Sequence, residues 1–183
     1  IQKFDASGNY VKDFTYQAPP EADPHSLCQA FGIARDKNGN VYVANNGRGT
    51  INKYSPSGTL LGTIGTQWDG NGQPLGGELM QPAGIAVDDA GNVYVADFYA
   101  GLQKFDASGN FVASVGSFGA YAQTPSFPLA VALDVSGNIY VSVTDGQQPS
   151  TTIQKFSSNG TYLSQFGSAG TGDGQIGPAA YGI

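Results

Sequence analysis

One histidine, His25, and one cysteine, Cys28, are the whole supply of imidazole and thiol in this chain of 183 residues. That scarcity decides much of the chemistry. A serine nucleophile activated by a histidine base needs an acid to orient the base, and no such set assembles around His25. A metal centre built from several histidines is excluded on the same ground. A single thiol forms no disulfide within the chain, so Cys28 is expected as a small buried or half-buried side chain. Carboxylates remain. Asp97 and Asp145 follow matched strand sequences, but Asn45 stands where a third matched acid would be needed. No catalytic residue and no metal-ligand set is expected; the one cofactor left open is Ca²⁺, held by Asp, Asn and carbonyl oxygens. The acidic stretches DKNGN, DDAGN and DVSGN lack calcium-loop spacing and read as hairpin turns. GTGDGQ and NGQPLGG are rich in glycine, yet neither lies between a strand and a helix, where a phosphate cradle belongs.

Residues suited to binding are better represented. Trp68 and Tyr99 offer rings that stack on a sugar or a peptide, while Asn46, Arg48, Asp69, Asp97 and Asp145 offer polar groups that orient it. His25 lies on the first long connection. Each has a structural alternative: Trp68 packs a loop onto the body of the fold, and Asp97 caps a turn. Asn46, Arg48, Trp68, Asp97, Tyr99 and Asp145 form the candidate ligand-binding set.

The elements that must carry these residues are visible as a repeat. IQKFDASGNYV at residue 1 returns as LQKFDASGNFV at residue 102. Three longer copies start at Phe31, Ala83 and Leu129, giving a period of about fifty residues, in the range of propeller blades. Each copy divides into four short apolar segments, here called a to d. Val41 and Val43 alternate with Tyr42, the period of two that marks a strand. Between a and b, and again between c and d, short turns place Gly39, Gly91 and Gly137, and Gly8, Gly58, Gly109 and Gly160, where a hairpin needs positive φ. Charged residues are 12 % of the chain, with 27 Gly, ten Tyr and ten Phe. That mixture favours an all-β fold with many tight connections. No apolar run approaches the ~20 residues of a membrane span.

The connections are lopsided. Those from a to b and from c to d are short and uniform, so their face is scaffold. Those from b to c and from d to a vary greatly, TYQAPPEADPHSLCQA and GTQWDGNGQPLGGELMQP among them, and in a propeller both sets emerge on the opposite face. Variable loops on a rigid frame are where binding resides. Net charge is −6, from 14 acidic and 8 basic residues, which disfavours a phosphate backbone as partner. Four of the cations, Lys3, Lys53, Lys104 and Lys155, hold one repeated strand position and so form no patch.

The succession P-x-G-I-A-V-D, G-N-V-Y-V-A-D, φ-Q-K-F-D and F-G-S-x-G-x-G-D-G-Q is carried by Pro82 to Asp88, Gly91 to Asp97, Leu102 to Asp106 and Phe166 to Gln175. It resembles the NHL repeat, and the resemblance covers nearly the whole chain. The third copy departs from it, with Ala130 in place of Gly32 and Gly84, and Val143 in place of Asn45 and Asp97. The resemblance implies a β-propeller of four-stranded antiparallel blades. We place a partial blade at 1–17, complete blades at about 29–67, 81–117 and 127–168, and the start of a further blade at 176–183. Such propellers commonly have six blades and let their termini share one. The chain is therefore expected either as a piece of a longer propeller or as copies that complete one another through their partial blades.

Relatives of this fold include RNA binders with a basic face and lyases with a metal in the channel. Outside the repeated lysine only Lys12, Arg35, Lys37 and Arg48 remain, so RNA binding is not expected. The leading expectation is a non-catalytic binding or assembly module for a protein, peptide or glycan, with self-association through the partial blades. Its expected setting is extracellular or at the cell surface of a microbe, from the low charge density and abundant Gly, Ser, Thr, Asn and Gln. The alternative is part of a propeller lyase, resembling the streptogramin-inactivating or peptide-amidating types, with its catalytic residues elsewhere.

Overall fold

The computed structural model describes residues 1–13, 27, 29–119, 126–145, 151–170, 172–177 and 182. Alternation and hairpin chemistry give β1 (Gln2–Phe4) and β2 (Tyr10–Asp13), an antiparallel pair. The first four-stranded sheet follows: β3 (Ala30–Arg35), β4 (Val41–Asn45), β5 (Thr50–Tyr54) and β6 (Leu60–Ile64). A short 3₁₀ turn, Asn46–Arg48, joins β4 to β5. The connection onward contains a parallel pair, β7 (Thr66–Gln67) and β8 (Glu78–Leu79). The second sheet is β9 (Pro82–Val87), β10 (Val93–Asp97), β11 (Gly101–Phe105) and β12 (Phe111–Val115). The third is β13 (Phe127–Leu133), β14 (Ile139–Thr144), β15 (Thr151–Phe156) and β16 (Tyr162–Phe166). A second parallel pair, β17 (Ser168–Ala169) and β18 (Gln175–Ile176), repeats the device of β7 and β8.

All three sheets are antiparallel, with strands in chain order, so each is one complete blade. The blades stack face to face. Val93, Val95 and Phe105 of the second blade meet Tyr42, Ala44 and Ile51 of the first in one apolar cluster. Tyr94, Ala96 and Leu102, from the other face of the second blade, meet Val131, Ile139 and Val141 of the third. Strand β10 is buried along its whole length because both of its faces are covered. Burying one side chain such as Phe105 contributes roughly 2–3 kcal/mol.

The blades fan from a common edge. Among their first strands, β9 contacts both β3 and β13. This closeness depends on missing side-chain atoms: a Cβ at Gly32 would collide with the Ala83 carbonyl, and one at Gly84 would lie 2.7 Å from the Cα of Ala130. The molecule is thus an all-β set of propeller blades. Residues 14–17, 178–181 and 183 of the expected partial blades lie outside the described residues, as do His25 and Cys28.

The a-to-b turns are closed by their own side chains. Asp36, Asp88 and Asp134 each accept hydrogen bonds from the backbone amide and the Nδ2 of Asn40, Asn92 and Asn138, all at 2.7–2.9 Å. The following tyrosine adds its hydroxyl: Tyr140 donates to Asp134 at 3.1 Å. Strand register then sets the repeated lysine opposite that tyrosine, Tyr42 to Lys53, Tyr94 to Lys104 and Tyr140 to Lys155. Each Nζ sits over its ring, at 5.2, 5.1 and 4.9 Å from the centroid, and Lys155 is also 3.9 Å from Asp134. These cations serve the blades and are not gathered for a ligand.

Candidate functional site

The variable connections leave the ends of the second and fourth strands of each blade and share one face. The side chain that ties them together is Asp97, which ends β10 and is 0 % exposed. Its Oδ2 accepts from the backbone amides of Met80 and Gln81, both at 2.8 Å. Its Oδ1 accepts from those of Tyr99, at 3.0 Å, and Ala100, at 2.8 Å. Burial pushes the carboxyl above its ordinary value, and the four amide donors pull against that shift. Asp97 therefore clamps the connection entering the second blade to the loop leaving β10. The sequence placed it among the ligand-contacting residues; enclosed with every oxygen engaged, it has no surface for a ligand and acts as a positioning residue.

The remaining candidates fall into two groups on either side of this clamp. Asn46 and Arg48 lie on the 3₁₀ turn, half-buried, and Asn46 Nδ2 donates to the Pro82 carbonyl at 3.4 Å. The next residue, Gly49, is left-handed with φ 57°, and a Cβ there would run into the Leu79 carbonyl. The Trp68 amide donates to that same carbonyl at 3.0 Å, so the turn and the Trp68 connection are packed together. The indole is half-buried, and its Nε1 is enclosed with no acceptor among the described residues. Asp69 is exposed and closes a local turn; the amide and side chain of Asn71 hold its carboxyl below the ordinary value.

Tyr99 belongs to the second group. Its ring stands edge-on to Phe98, at 5.0 Å, and to Phe127, at 6.2 Å, while Phe98 and Phe127 stack in parallel at 4.5 Å. All three rings are half-buried. Phe127 pairs with Thr144 across β13 and β14, which puts the exposed Asp145, the next residue, at the same corner. A Cβ at Gly119 would collide with the Tyr99 carbonyl, so the following connection backs the loop closely. Tyr99 and Asp145 are therefore brought to one corner, and Asn46, Arg48 and Trp68 to another.

Three contributors were not singled out from sequence. Phe98 and Phe127 lie in separate repeats and meet only across the gap between blades. Gln103 is buried; its Oε1 accepts from the Gly77 amide and its Nε2 donates to the Glu78 carbonyl, both at 2.8 Å, pinning the connection before β9. Its signal was the repeated Gln before the lysine, at Gln2, Gln103 and Gln154. Near the common edge of the blades, a cavity of about 320 Å³ is walled by Phe31, Ile33, Ala83, Ile85, Leu129 and Val131, with Gly32, Gly84, Ala130 and Gly182 between them. Its lining side chains are apolar.

Residues 79–101 match the family described as the NHL repeat. Among solved structures, the selenomethionine-substituted virginiamycin B lyase from Staphylococcus aureus is 15 % identical with a TM-score of 0.58, over 90 % of this chain and 47 % of that one. A streptogramin B lyase is 16 % identical with a TM-score of 0.56, over 85 % and 43 %. A Bacteroides caccae protein of unknown function is 17 % identical with a TM-score of 0.51, over 78 % and 47 %. At these identities the likeness is one of fold. The chain spans about half the length of each of these structures. No curated protein sequence gives a significant match.

Proposed function

We propose that this NHL-repeat β-propeller segment is a non-catalytic binding module whose loop face receives a protein, peptide or glycan. The observation that carries the reading is the Asp97 clamp. Four amide hydrogen bonds from two different connections converge on one buried carboxylate, so the loops form a preorganised surface instead of separate strands of coil. Preorganisation lowers the ordering cost of binding. The opposite face is made of uniform hairpins whose paired Asp and Asn side chains bond to one another.

The test compares two surface variants against immobilised peptide and glycan arrays. One carries Arg48→Ala, Tyr99→Ala and Asp145→Ala on the loop face; the other carries Lys37→Ala, Asp89→Ala and Val135→Ser on the hairpin face. Ligands retained by the wild type should be lost by the first variant and kept by the second. Loss confined to the second would overturn the reading.

A second reading, part of a propeller lyase, is favoured by the fold likeness to two lyases. It requires acid–base groups from outside the described cavity wall, whose side chains are apolar. Turnover of virginiamycin B by the purified chain, with and without added divalent metal, tests it directly. Self-association is proposed as well, through the face of the first blade beside β1, and an extracellular or cell-surface setting fits the low charge density.

A further inference from the structure

We propose that a groove at the loop-face end of the second blade binds a neutral oligosaccharide through Gln73, Ser114 and Ser117. The inference rests on the loop-face reading above and chooses the glycan among its ligands.

The groove has a volume of about 390 Å³, within the roughly 300–1,000 Å³ of small-molecule sites. One wall is the connection at residues 73–76; the other is the start of β11 and the end of β12. The connection is fixed to the blade. Glu78 Oε2 accepts from the Leu75 amide, and Gln103 bonds the Gly77 amide and the Glu78 carbonyl, all at 2.8 Å. Register then orients Ser114. It pairs directly with Gln103 across β11 and β12, so both side chains project from the same sheet face, toward the connection. At the same register the first blade pairs Asn52 with Thr63, and the third pairs Gln154 with Gln165. Serine is the smallest of the three, and the groove opens where it stands.

Gln73, Ser114 and Ser117 are exposed, and none of the three side chains is hydrogen-bonded to another described residue. They offer two hydroxyls, each both donor and acceptor, and one amide. Leu75, 71 % exposed, and the half-buried Phe118 add apolar surface for the C–H face of a sugar ring. Among the described residues, no charged side chain lines the groove. Lys104, beside Gln103, lies on the other sheet face over Tyr94, and the Glu78 carboxylate is engaged by the Leu75 amide. An anionic glycan or a phosphate therefore finds no counter-ion, and a net charge of −6 repels it. A peptide is gripped by apolar or charged anchors in matching pockets. Here Leu102 and Val115 are turned into the cluster shared with the third blade, 1 % and 5 % exposed, and give such an anchor no seat.

The test uses isothermal titration and amide NMR of the whole chain. The probes are cellohexaose, maltohexaose and laminarihexaose, with hexagalacturonate and a Gly-Gln alternating hexapeptide as anionic and peptide controls. At least one neutral hexasaccharide should bind, shift the amides of residues 75–77, 101–103 and 114–118, and keep its affinity as salt is added. Gln73→Ala and Ser117→Ala should each weaken it about threefold to tenfold, the range of one neutral hydrogen bond. Ser114→Gln, which installs the third blade's side chain at an exposed position, should fill the groove and abolish binding. Thr63→Gln, the same change in the first blade, should have less than about a twofold effect. Unchanged far-ultraviolet circular dichroism checks that the variants fold. Binding that survives Ser114→Gln but is lost in the Arg48, Tyr99 and Asp145 variant would overturn this groove and keep the loop-face reading. Shifts at these amides with hexagalacturonate or the peptide, and with no neutral sugar, would overturn the ligand class. No shift at these amides with any probe would overturn this proposal, and the array experiment would then decide the broader reading.

Discussion

Asp97 shows how a residue chosen for apparent ligand chemistry can serve the protein instead. Its acidic side chain at the end of a strand, next to an aromatic loop, resembles a contact residue until its surroundings are known. All four of its hydrogen bonds come from backbone amides, and such donors, once buried, are costly to leave unpaired. Asp97→Asn keeps the shape but turns an acceptor into a donor that faces two amides. We expect a loss of roughly 3 kcal/mol, lowering the midpoint of thermal unfolding by about 6–12 °C for a chain of this size. Asn45, at the equivalent place in the first blade, is also fully buried. A Tm unchanged by Asp97→Asn, measured by calorimetry, would mean that the clamp is dispensable.

At the scale of elements, the turns were legible and the loops were not, for a physical reason. A hairpin such as DKNGN is satisfied by its own residues, so its chemistry is written within five positions: Asp36 bonds Asn40, and Gly39 supplies φ 85°. The four-strand blade follows from repeating that local unit. Phe98 and Phe127 meet only because two blades pack, and no spacing along the chain records it. The departure at Ala130 was visible, but its meaning needed the neighbouring strand: Gly84 must lack a Cβ because Ala130 faces it. Gly84→Val should therefore separate β9 from β13 and cost several kcal/mol by overpacking. The turns also carry a pH signature. For Asp134, the hydrogen bond from Asn138 leads, and the bonds from its amide and Tyr140 add to it; together they hold the carboxyl below the usual 3.8 despite some desolvation. A depressed folded value contributes stability that is full above pH 3.8 and is lost as pH falls through the lowered value. The stability gap between wild type and Asp134→Ala should accordingly be constant above that pH and narrow below it, as followed by urea unfolding at a series of pH values. A gap that widens on acidification would contradict the sign.

At the scale of the whole molecule, the repeat acts as its own control for what should be buried. Phe105, at the end of β11, is 1 % exposed, whereas Phe4, its counterpart at the end of β1, is 52 % exposed. Ile85 is 8 % exposed and Ile33, its counterpart one blade earlier, 58 %. The same residue types at the same repeat positions differ because the second blade has a full sheet against it. β1 has β2 as its one strand neighbour among the described residues. Between β1 and the first blade lies a largely apolar groove of about 410 Å³, lined by Ile1, Phe4, Ile33, Val41 and Pro56 among others. Uncovered apolar side chains lining such a groove favour association with another chain. The chain, purified alone, should then sediment as a concentration-dependent oligomer. Ile33→Glu together with Phe4→Ser, which place charge and polarity in the groove without touching the loop face, should shift it toward monomer while leaving the affinity for loop-face ligands unchanged. A wild type that stays monomeric up to the highest soluble concentration would show that the groove does not recruit a second copy. A variant that loses ligand affinity along with association would show that the two faces are not independent.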